Sequence, residues 1–357
     1  MENLVNMPQA SFWRGKRVLL TGHTGFKGSW LALWLQRLGA EVIGISLRPN
    51  TEPNLFSLAG IENLSLSHFC DIRDARRLAV LIRNVEPQVV FHLAAQPLVR
   101  ASYREPLQTF ATNIMGTAHV LDALRGVKSA RVAVMITTDK VYRNLEQHSS
   151  YREDDKLGGY DPYSASKAAS ELVIDSYRDA FLANQGVSVA SARAGNVIGG
   201  GDWSEDRLIP DAVRAWQSDQ VLEIRCPKAV RPWQHVLDPL AGYLILAEYL
   251  WENPEGSGAY NFGPDENAAV SVREVIELAR ASFESSRVDY ATSNEGPHEA
   301  GLLMLNTEKA KTALGVKSRW ELSRAVKTTL QWYNALQGGA DARELCLADI
   351  AAFEGRS

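Results

Sequence analysis

Cysteine is scarce in this sequence, and the few that occur lie far apart. The three cysteines among the 357 residues are Cys70, Cys226 and Cys346, with no CxxC pair. This spacing excludes a disulfide framework and a zinc site made of thiolates. The seven histidines show no HxxxH or HExxH spacing, so no metal site is predicted. Reduced thiols fit the cytoplasm, which is the predicted location.

Long hydrophobic runs and long runs of one charge are missing as well. No stretch reaches the roughly 18 apolar residues of a membrane span. Residues 1–14 include Glu2 and lack the continuous apolar core of a signal peptide. The formal net charge is -4, without a long basic run. We therefore expect small molecules as partners, and neither a membrane nor a nucleic acid.

The first half of the chain contains a regular alternation of strand and helix patterns. Residues 16–21 form an apolar run that ends in a glycine-rich turn, and residues 26–38 have a helical pattern closed by Gly39. Further strands are predicted at 41–46, 64–69, 88–93, 131–137 and 187–193, with a long helix at 162–186. Such alternation predicts an α/β fold, a doubly wound parallel sheet of the Rossmann type.

The glycine-rich turn between the first strand and the first helix is a candidate phosphate site. Glycines let the backbone approach a pyrophosphate, and the helix start offers free N–H groups. It is not a Walker loop, because Lys27 is followed by glycine rather than Ser or Thr. A purely structural turn is the alternative. The predicted cofactor residues of the turn are Gly22, Thr24, Gly25, Phe26, Lys27 and Gly28.

The type of dinucleotide is less clear from the sequence than its presence. The carboxylate that usually binds the ribose 2′-hydroxyl of NAD is missing after the second strand. Arg48 stands there instead, either facing a 2′-phosphate or solvated. NAD is expected and NADP stays open. Asp71, followed by Ile72, is predicted to accept a hydrogen bond from the adenine amino group; the alternative is a cap for a helix at 73–85.

Regular alternation weakens after residue 195, where glycines and prolines punctuate the sequence. We predict a dinucleotide-binding domain at 1–194, which includes the helix at 162–186. Residues 195–357 are predicted to form mainly a smaller substrate-binding lobe, with some segments returning to the first body. The tail after residue 338 is expected to be one helix or partly frayed.

Tyr163 and Lys167 are candidate catalytic residues. Four positions apart on a helix, they share one face, and a nearby cation favours the phenolate of a tyrosine whose pKa is otherwise about 10. Such a pair also occurs by chance on solvated helices. Two predicted strand ends supply further groups at the same sheet edge. They are Leu93, Ala94, Ala95 and Gln96 after the fourth strand, and Thr137, Thr138, Asp139 and Lys140 after the fifth.

These motifs together resemble the extended short-chain dehydrogenase/reductase family over most of the chain. Within that family, Thr138-Asp-Lys140 and the segments 193–197, 199–203 and 231–238 look like those of nucleotide-sugar 4,6-dehydratases. The resemblance implies NAD as cofactor and CDP-glucose as substrate. Relatives that act on dTDP-glucose or GDP-mannose typically carry Glu in place of Lys140.

The resemblance also implies residue roles. Tyr163 would take the C4 hydroxyl proton, helped by Lys167 and Thr138. Asp139 would act as the acid of the elimination, and Lys140 as its base or as a stabiliser of the enolate. The substrate residues implied are Gln96, Lys140, Asn196, Arg207, Arg231 and His235.

Other functions compatible with the fold remain open. A nucleotide-sugar 4-epimerase or decarboxylase needs the tyrosine and lysine but not Asp139, and a non-catalytic NAD(P)-sensing protein needs neither. The resemblance implies a dimer formed through helices expected here around 109–124 and 162–177, and a homodimer or homotetramer is predicted. The resemblance places the pathway in deoxysugar biosynthesis for a lipopolysaccharide O-antigen.

Overall fold

The computed structural model describes residues 6–146, 149–265, 268–283, 286–291 and 301–355. The strands are β1 (Arg17–Thr21), β2 (Glu41–Ser46), β3 (Leu66–Phe69), β4 (Val89–His92), β5 (Val132–Ile136), β6 (Ser188–Ala194), β7 (Val197–Ile198), β8 (Leu222–Ile224), β9 (Val230–Arg231), β10 (Gln234–His235), β11 (Gly258–Phe262), β12 (Val270–Ser271) and β13 (Val288–Tyr290). The helices are α1 (Ala10–Trp13), α2 (Phe26–Arg37), α3 (Leu55–Leu58), α4 (Ala75–Val85), α5 (Val99–Arg104), α6 (Pro106–Phe110), α7 (Gly116–Leu124), α8 (Pro162–Tyr177), α9 (Leu208–Gln217), α10 (Leu237–Glu252), α11 (Val272–Arg280), α12 (Glu308–Leu314), α13 (Leu322–Gln337) and α14 (Ala342–Glu354).

Seven strands form one parallel sheet in the order β11-β6-β5-β4-β1-β2-β3. The chain starts in the middle, winds outward to β3, and returns to continue from β4 to the other edge. This is the order of a doubly wound sheet, so the predicted α/β fold is confirmed.

Alternating residues of the strands build two cores, one on each face of the sheet. Val18 and Leu20 of β1 belong to a core that includes residues of α2, α10, α13 and α14. Leu19, between them, belongs to a second core with α4, α7 and α8. Because side chains of a strand alternate in direction, helices on both faces bury both sets.

The helix that carries Tyr163 and Lys167 is shorter than predicted. It ends as an α-helix at Tyr177 and continues as a π-helical turn, Arg178–Leu182, and a 3-10 turn, Ala183–Gln185. The next residue, Gly186, has a φ of 76°, which ends the helical segment in the left-handed region.

Residues after 195 form smaller units and also rejoin the sheet. Two-stranded sheets pair β7 with β10, β9 with β12 and β8 with β13. β11 pairs with β6 at the edge of the large sheet, and α10 packs against β5 and β6. The tail forms one helix, α14, held to α2 by Trp34 Nε1, which donates to Glu354 Oε1 at 3.0 Å. None of the helices in the described part of the chain is long and apolar enough to cross a membrane.

Candidate active site

A large cavity lies where the parallel strands end, between the sheet and segments that follow residue 195. Its volume is about 1470 Å³, and ligands of open α/β sheets bind at this edge. The predicted site residues that line it are Gly22, Thr24, Gly25, Phe26, Lys27, Gly28, Asp71, Ile72, Leu93, Ala94, Ala95, Gln96, Thr138, Asp139, Lys140, Tyr163, Lys167, Asn196, Arg207 and Arg231. The fold thus brings distant segments to one place.

The turn from β1 to α2 has the shape that a phosphate-bearing ligand needs. Gly22 has a φ of +77°, and a Cβ at this position would come within 2.7 Å of the Ala94 backbone nitrogen. A Cβ on Gly28 would overlap the carbonyl oxygen of Gly22. Gly25 precedes α2 without a side-chain cap, so the first N–H groups of the helix are available to an anion.

Asp71 and Ile72 lie after the edge strand β3, on the side of the cavity that is nearest to this edge of the sheet. The Asp71 carboxylate forms an ion pair with Arg73, with Oδ2 at 2.6 Å from Nη2, and this hydrogen bonding holds the pKa of Asp71 below its usual value. Asp71 is not the cap of α4, because that helix begins at Ala75 and Asp74 accepts its capping hydrogen bond from the Arg77 N–H. Its carboxylate therefore lines the cavity without a capping role.

The end of β2 carries hydroxyl groups rather than a carboxylate. Thr24 Oγ1 lies 2.8 Å from Ser46 Oγ and donates to the Leu47 carbonyl oxygen at 2.9 Å, which ties the glycine turn to this strand end. The guanidinium of Arg48 lies over the Phe69 ring, 4.4 Å from its centroid. Arg48 is thus held against the sheet while lining the cavity.

The end of β4 offers small side chains and a tightly bonded loop. The Ala94 N–H donates to Thr21 Oγ1 at 3.2 Å, which fixes the strand end beside the glycine turn. The amide of Gln96 is engaged within the protein: its Nε2 donates to Thr109 Oγ1 at 2.9 Å, and its Oε1 accepts from the Leu98 N–H at 2.6 Å. Gln96 lines the cavity but mainly shapes its own loop.

Thr138, Asp139 and Lys140 follow β5, and residues 139–141 form a 3-10 turn. Asp139 Oδ1 accepts hydrogen bonds from Thr138 Oγ1 at 2.9 Å and from Lys140 Nζ at 3.3 Å. Asp139 is fully buried, and its Oδ2 has no hydrogen-bond partner among the described residues. A hydroxyl, a carboxylate and an amine thus meet within one turn, with one carboxylate oxygen left for a ligand.

Tyr163 lies in the first turn of α8, where its backbone is anchored. Asp161 caps the helix, since its Oδ1 accepts from the Ser164 N–H at 2.9 Å and its Oδ2 from the Ser164 hydroxyl at 2.6 Å. The Tyr163 N–H donates to Ser102 Oγ of α5 at 3.1 Å. These bonds fix the point at which the phenol enters the cavity.

The environment of Tyr163 and Lys167 is dominated by burial. Burial raises the pKa of the Tyr163 phenol, opposed by its hydrogen bond with the Thr138 hydroxyl and by the Arg207 guanidinium. Burial lowers the pKa of Lys167 to about 8. The Lys167 Nζ donates to the Ile136 carbonyl oxygen at 3.1 Å, so its amine also anchors α8 to the end of β5.

Polar groups from the second half of the chain face the cavity. Asn196 Oδ1 is buried without a hydrogen-bond partner among the described residues. Arg207 Nη2 donates to the Pro97 carbonyl oxygen at 3.1 Å, and Arg231 Nη1 donates to the Val230 carbonyl oxygen at 2.9 Å. The two guanidinium groups and the amide suit an anionic, oxygen-rich ligand.

His235 is a predicted substrate residue whose placement the structure contradicts. The side chain is fully buried, and its ring packs between Trp30 and Trp320, with centroids at 6.1 Å and 4.7 Å. Its Nδ1 accepts from the Leu237 N–H, and burial lowers its pKa to about 3. His235 is therefore a neutral core residue, and the assignment to substrate binding was wrong.

A charged cluster that no sequence motif predicts completes the wall of the cavity. Asp206 Oδ1 lies 3.2 Å from Arg100 Nη1 and 3.4 Å from Arg225 Nη1. Arg100 and Asp206 line the main cavity, and Arg225 lines a smaller adjoining cavity of about 160 Å³. No spacing signal links these residues, because they meet only through the tertiary fold.

Metal ligands are not grouped in the described part of the chain. No set of three or more His, Cys, Asp or Glu side chains lies close enough there to hold an ion. Two of the seven histidines, His148 and His298, fall outside the described residues. The site geometry rests on hydroxyl, carboxylate and amine groups.

Comparisons with known proteins agree with this site. A family model described as GDP-mannose 4,6 dehydratase matches residues 19–329. A CDP-glucose 4,6-dehydratase of Salmonella typhimurium is 45% identical over 341 residues, which cover 94% of this chain and 95% of that protein.

Solved structures show the same fold at lower identity. A UDP-glucose-4-epimerase from Stenotrophomonas maltophila with bound NAD and formylated UDP-arabinopyranose has a TM-score of 0.78 and 23% identity, covering 91% of this chain and all of that one. An NAD-dependent NDP-hexosamine 5,6-dehydratase involved in tunicamycin biosynthesis has a TM-score of 0.75 and 24% identity, covering 90% of this chain and 98% of that one.

The doubly wound parallel sheet, and the cavity that brings the glycine turn together with Thr138, Tyr163 and Lys167, define a nucleotide-sugar dehydratase of the Rossmann type. More narrowly, the chain belongs to the GDP-mannose 4,6-dehydratase family. The resemblance noted in the sequence is confirmed.

Proposed function

We propose that this chain is an NAD-dependent CDP-glucose 4,6-dehydratase, which converts CDP-glucose to CDP-4-keto-6-deoxyglucose and water. The observation that carries the proposal is the 45% identity to a CDP-glucose 4,6-dehydratase over 94% of the chain. The position of Thr138, Asp139 and Lys140 beside Tyr163 in one cavity supports it. An epimerase would not need the acid at 139.

Residues on the sheet edge would hold the cofactor. The cradle at Gly22 and Gly28 fits a pyrophosphate, and the uncapped start of α2 fits its charge. Asp71, which lines the cavity after β3, is proposed to bind the adenine end. Bound NAD would supply a reversible hydride acceptor for the sugar, so the net reaction would be redox-neutral.

Tyr163 is proposed as the base for the C4 hydroxyl. The phenol is buried, so its ionisation is costly, and the Thr138 hydroxyl and the Arg207 cation offset part of that cost. Lys167 supports the site from the next turn, with its amine held at the end of β5. The Tyr163 phenol, the Thr138 hydroxyl and the Lys167 amine are proposed to share the task of taking this proton.

Asp139 and Lys140 are proposed to carry out the elimination. The C5 proton passes to a base, the C5 electrons form an enolate with the C4 carbonyl, and the enolate expels the C6 hydroxyl as water with a proton from an acid, which leaves a C5=C6 double bond. C5 takes a proton back from the base when hydride is added at C6. Asp139 is the proposed acid, and its Oδ2, which has no hydrogen-bond partner among the described residues, is the proposed donor atom. Lys140, 3.3 Å from the other oxygen, is the proposed base or the group that stabilises the enolate.

Asn196, Arg207 and Arg231 are proposed to bind the nucleotide diphosphate. Arginine donates several hydrogen bonds in a fixed plane, which matches phosphate oxygens, and a buried amide oxygen without a partner matches a hydroxyl or an amine. Residues 1–194 are proposed as the dinucleotide-binding part and 195–357 mainly as the substrate part. β11 comes from the second part but pairs with β6 in the large sheet, which supports the expectation that some of its segments return to the first part.

The chain is proposed to work in the cytoplasm as a homodimer or homotetramer. The helical segments predicted for a subunit interface expose apolar side chains: Leu107 and Met115 are 82% and 50% exposed, and Leu172 is 63% exposed. Apolar surface on adjoining helices favours burial against a second copy. NAD and nucleotide sugars as ligands, together with the few and widely spaced cysteines of the sequence, fit the cytoplasm.

The test is to incubate the purified protein with CDP-glucose and NAD and to follow the absorbance that 4-keto sugars develop in alkali. Parallel reactions contain dTDP-glucose, GDP-mannose or UDP-glucose, and NADP in place of NAD. We expect product with CDP-glucose and NAD, and a loss of about 10²–10⁴-fold in the Tyr163→Phe variant. A signal only with another nucleotide sugar would overturn the substrate, and conversion of UDP-glucose to UDP-galactose would identify an epimerase.

A further inference from the structure

A buried ion pair behind the active site joins α8 to β6. Glu171 and Arg193 are 0% and 3% exposed. Each oxygen of the Glu171 carboxylate accepts two hydrogen bonds. Oε1 accepts from Thr137 Oγ1 at 2.5 Å and from Arg193 Nε at 3.0 Å. Oε2 accepts from Ser191 Oγ at 2.6 Å and from Arg193 Nη2 at 2.9 Å. The four acceptor positions of the carboxylate are therefore filled.

The other side of the Arg193 guanidinium reaches the segment that follows the catalytic turn. Its Nη1 donates to the Tyr142 hydroxyl at 2.8 Å and to the Glu153 carbonyl oxygen at 2.9 Å. The Tyr142 hydroxyl then donates to Asn261 Oδ1 of β11 at 2.7 Å. The contacts continue without a break from α8, through β6, to the edge strand of the sheet.

The proposed catalytic residues 138–140 lie between two residues that bind this ion pair. Thr137 precedes them and binds Glu171, while Tyr142 follows them and binds Arg193. Both anchors are buried, at 7% and 1% exposure. The turn is thus held at both ends by one pair of side chains.

The same ion pair is continuous with the helix of the catalytic tyrosine. Positions 163, 167 and 171 are four apart, so Tyr163, Lys167 and Glu171 lie along one face of α8. We propose that the Glu171–Arg193 ion pair is a positioning element of the reaction, which sets the catalytic turn 138–140 in register with Tyr163 and Lys167. This inference rests on the proposed function only for the identity of the reaction.

Stability alone does not account for such a pair. Removing two charges from water costs several kcal/mol per ion, and a well-packed apolar pair of similar volume is often equally stable. An apolar pair would leave the Thr137, Ser191 and Tyr142 hydroxyl groups without these partners. The ion pair fixes the orientation of the side chains bonded to it, because each of its hydrogen bonds forms only over a narrow range of distance and angle.

The ion pair also acts on the charge of Lys167. Glu171 opposes the effect of burial on the pKa of Lys167, which lies at about 8. The charged or titratable groups that interact with the Lys167 amine are Glu171 on its own helix, Lys27 on α2 and His92 on β4, and burial keeps His92 neutral with a pKa of about 3. Loss of the Glu171 charge is therefore expected to lower the pKa of Lys167 further.

The anchors allow a test that leaves the ion pair in place. In Thr137→Val and Tyr142→Phe each anchor loses one hydroxyl and little volume. We expect kcat with CDP-glucose to fall at least tenfold in each, with KM changed less than threefold, and Thr137→Ser to restore most of the lost activity. Thr329→Val and Tyr260→Phe are the matched controls, because their hydroxyls donate to the Ala325 and Gly256 carbonyl oxygens outside this network.

The effect of the Glu171 charge on Lys167 is tested with the Glu171→Gln variant, by measuring how kcat depends on pH. Activity that needs a protonated Lys167 is lost as pH rises through its pKa, so we expect the alkaline limb to move to lower pH in this variant. If Glu171→Gln does not fold, Thr137→Val and Tyr142→Phe still decide the question. Values of kcat within twofold of the parent in both anchor variants would overturn the positioning role.

Failure of the proposed function gives a different result. In that case the parent protein itself does not convert CDP-glucose. The ion pair is then tested by the NMR titration of ¹³C-methylated Lys167. A lower pKa of Lys167 in Glu171→Gln than in the parent supports the role of the ion pair at the site, and an unchanged pKa overturns that role.

Discussion

The Nζ of Lys27 lies 3.4 Å from the hydroxyl oxygen of Tyr243, at the wall of the main cavity. Lys27 lies in the first turn of α2, directly after the glycine turn, and Tyr243 belongs to α10, in the second half of the chain. Burial lowers the pKa of Lys27 to about 7, and the nearby Arg207, Lys167 and Lys140 act in the same direction, while Asp139 opposes them. The amine is therefore close to half-neutral at pH 7 in the free protein.

This position predicts that cofactor binding takes up a proton. An anionic pyrophosphate raises the pKa of a nearby amine, so its contribution to affinity is complete below pH 7 and is lost as pH rises through the higher pKa of the bound state. We expect Lys27→Met to weaken NAD binding about tenfold at pH 6.5, a loss of about 1.4 kcal/mol, and to abolish the proton uptake.

Calorimetric titration with NAD in two buffers of different ionisation enthalpy measures the proton uptake directly. Lys327→Met, which removes an exposed amine on α13, is the control and should behave like the parent. Proton uptake that persists in Lys27→Met would show that another group is responsible.

The dehydration step is expected to depend on Asp139 more than the oxidation step does. Asp139→Asn keeps an oxygen that accepts from Thr138 and Lys140 but removes the proton donor. We expect turnover to fall about 10²–10⁴-fold, while reduced nicotinamide accumulates after CDP-glucose is added. Rapid-mixing absorbance measures that accumulation. Normal turnover in this variant would remove Asp139 from the elimination.

Isotope exchange distinguishes the two proposed roles of Lys140, as the base for the C5 proton or as the group that stabilises the enolate. If Lys140 is the base, Lys140→Met should lose both turnover and the incorporation of solvent deuterium at C5 of the product. Normal incorporation at a reduced rate would leave enolate stabilisation as its role. Mass spectrometry of the product distinguishes the two outcomes.

Asp238 predicts a dependence of stability on pH. Burial raises the pKa of its carboxyl to about 7, against hydrogen bonds from the Arg319 and Trp320 backbone and from Ser318. The native state therefore holds a proton that the unfolded chain releases near pH 4, and stability falls as pH rises from about 4 to about 7. Asp238→Asn should be more stable than the parent at pH 8, by up to about 4 kcal/mol, and not at pH 4.

Urea unfolding at pH 4 and pH 8 measures this difference, with the m-value as a check on the two-state assumption. The amide oxygen of the variant still accepts from the Arg319 N–H, which in the parent bonds to Asp238 Oδ1 at 2.6 Å. An equal pH dependence in parent and variant would contradict the prediction.

The proposed subunit interface predicts the effect of a charge on α8. Leu172 is 63% exposed, and a glutamate there would be buried without a partner if two copies pack on this helix. We expect Leu172→Glu to halve the particle mass measured by light scattering. Leu278→Glu on α11 is the matched control, since Leu278 is exposed outside the predicted interface. A parent protein that is already monomeric would refute the interface.

The bounds of helices and strands were predicted best where residues close in sequence determine them. Apolar runs and glycine turns predict β1, β2 and α2 to within a residue or two, because strand burial and helix ends depend on nearby residues. The strand order follows from the alternation of strands and helices. The end of α8 was placed too late, since a π-helical turn keeps the helical pattern after the α-helix stops.

The site was less predictable where contacts are long-range. The motif around His235 does not reveal that β10, only two residues long, turns this ring toward Trp30 and Trp320. The meeting of Arg100, Asp206 and Arg225, and the pairing of Glu171 with Arg193, depend on the packing of separate segments. Spacing in sequence carries no information about such pairs.

The position of β11 has a consequence for how the protein is made. β6, at Ser188–Ala194, gains its second neighbour only when residues 258–262 have left the ribosome. Until then its outer N–H and C=O groups form an open edge, which invites pairing with other nascent chains. A chain truncated before residue 258 is therefore expected to aggregate or to require a chaperone, even though it contains the entire glycine turn and both Tyr163 and Lys167.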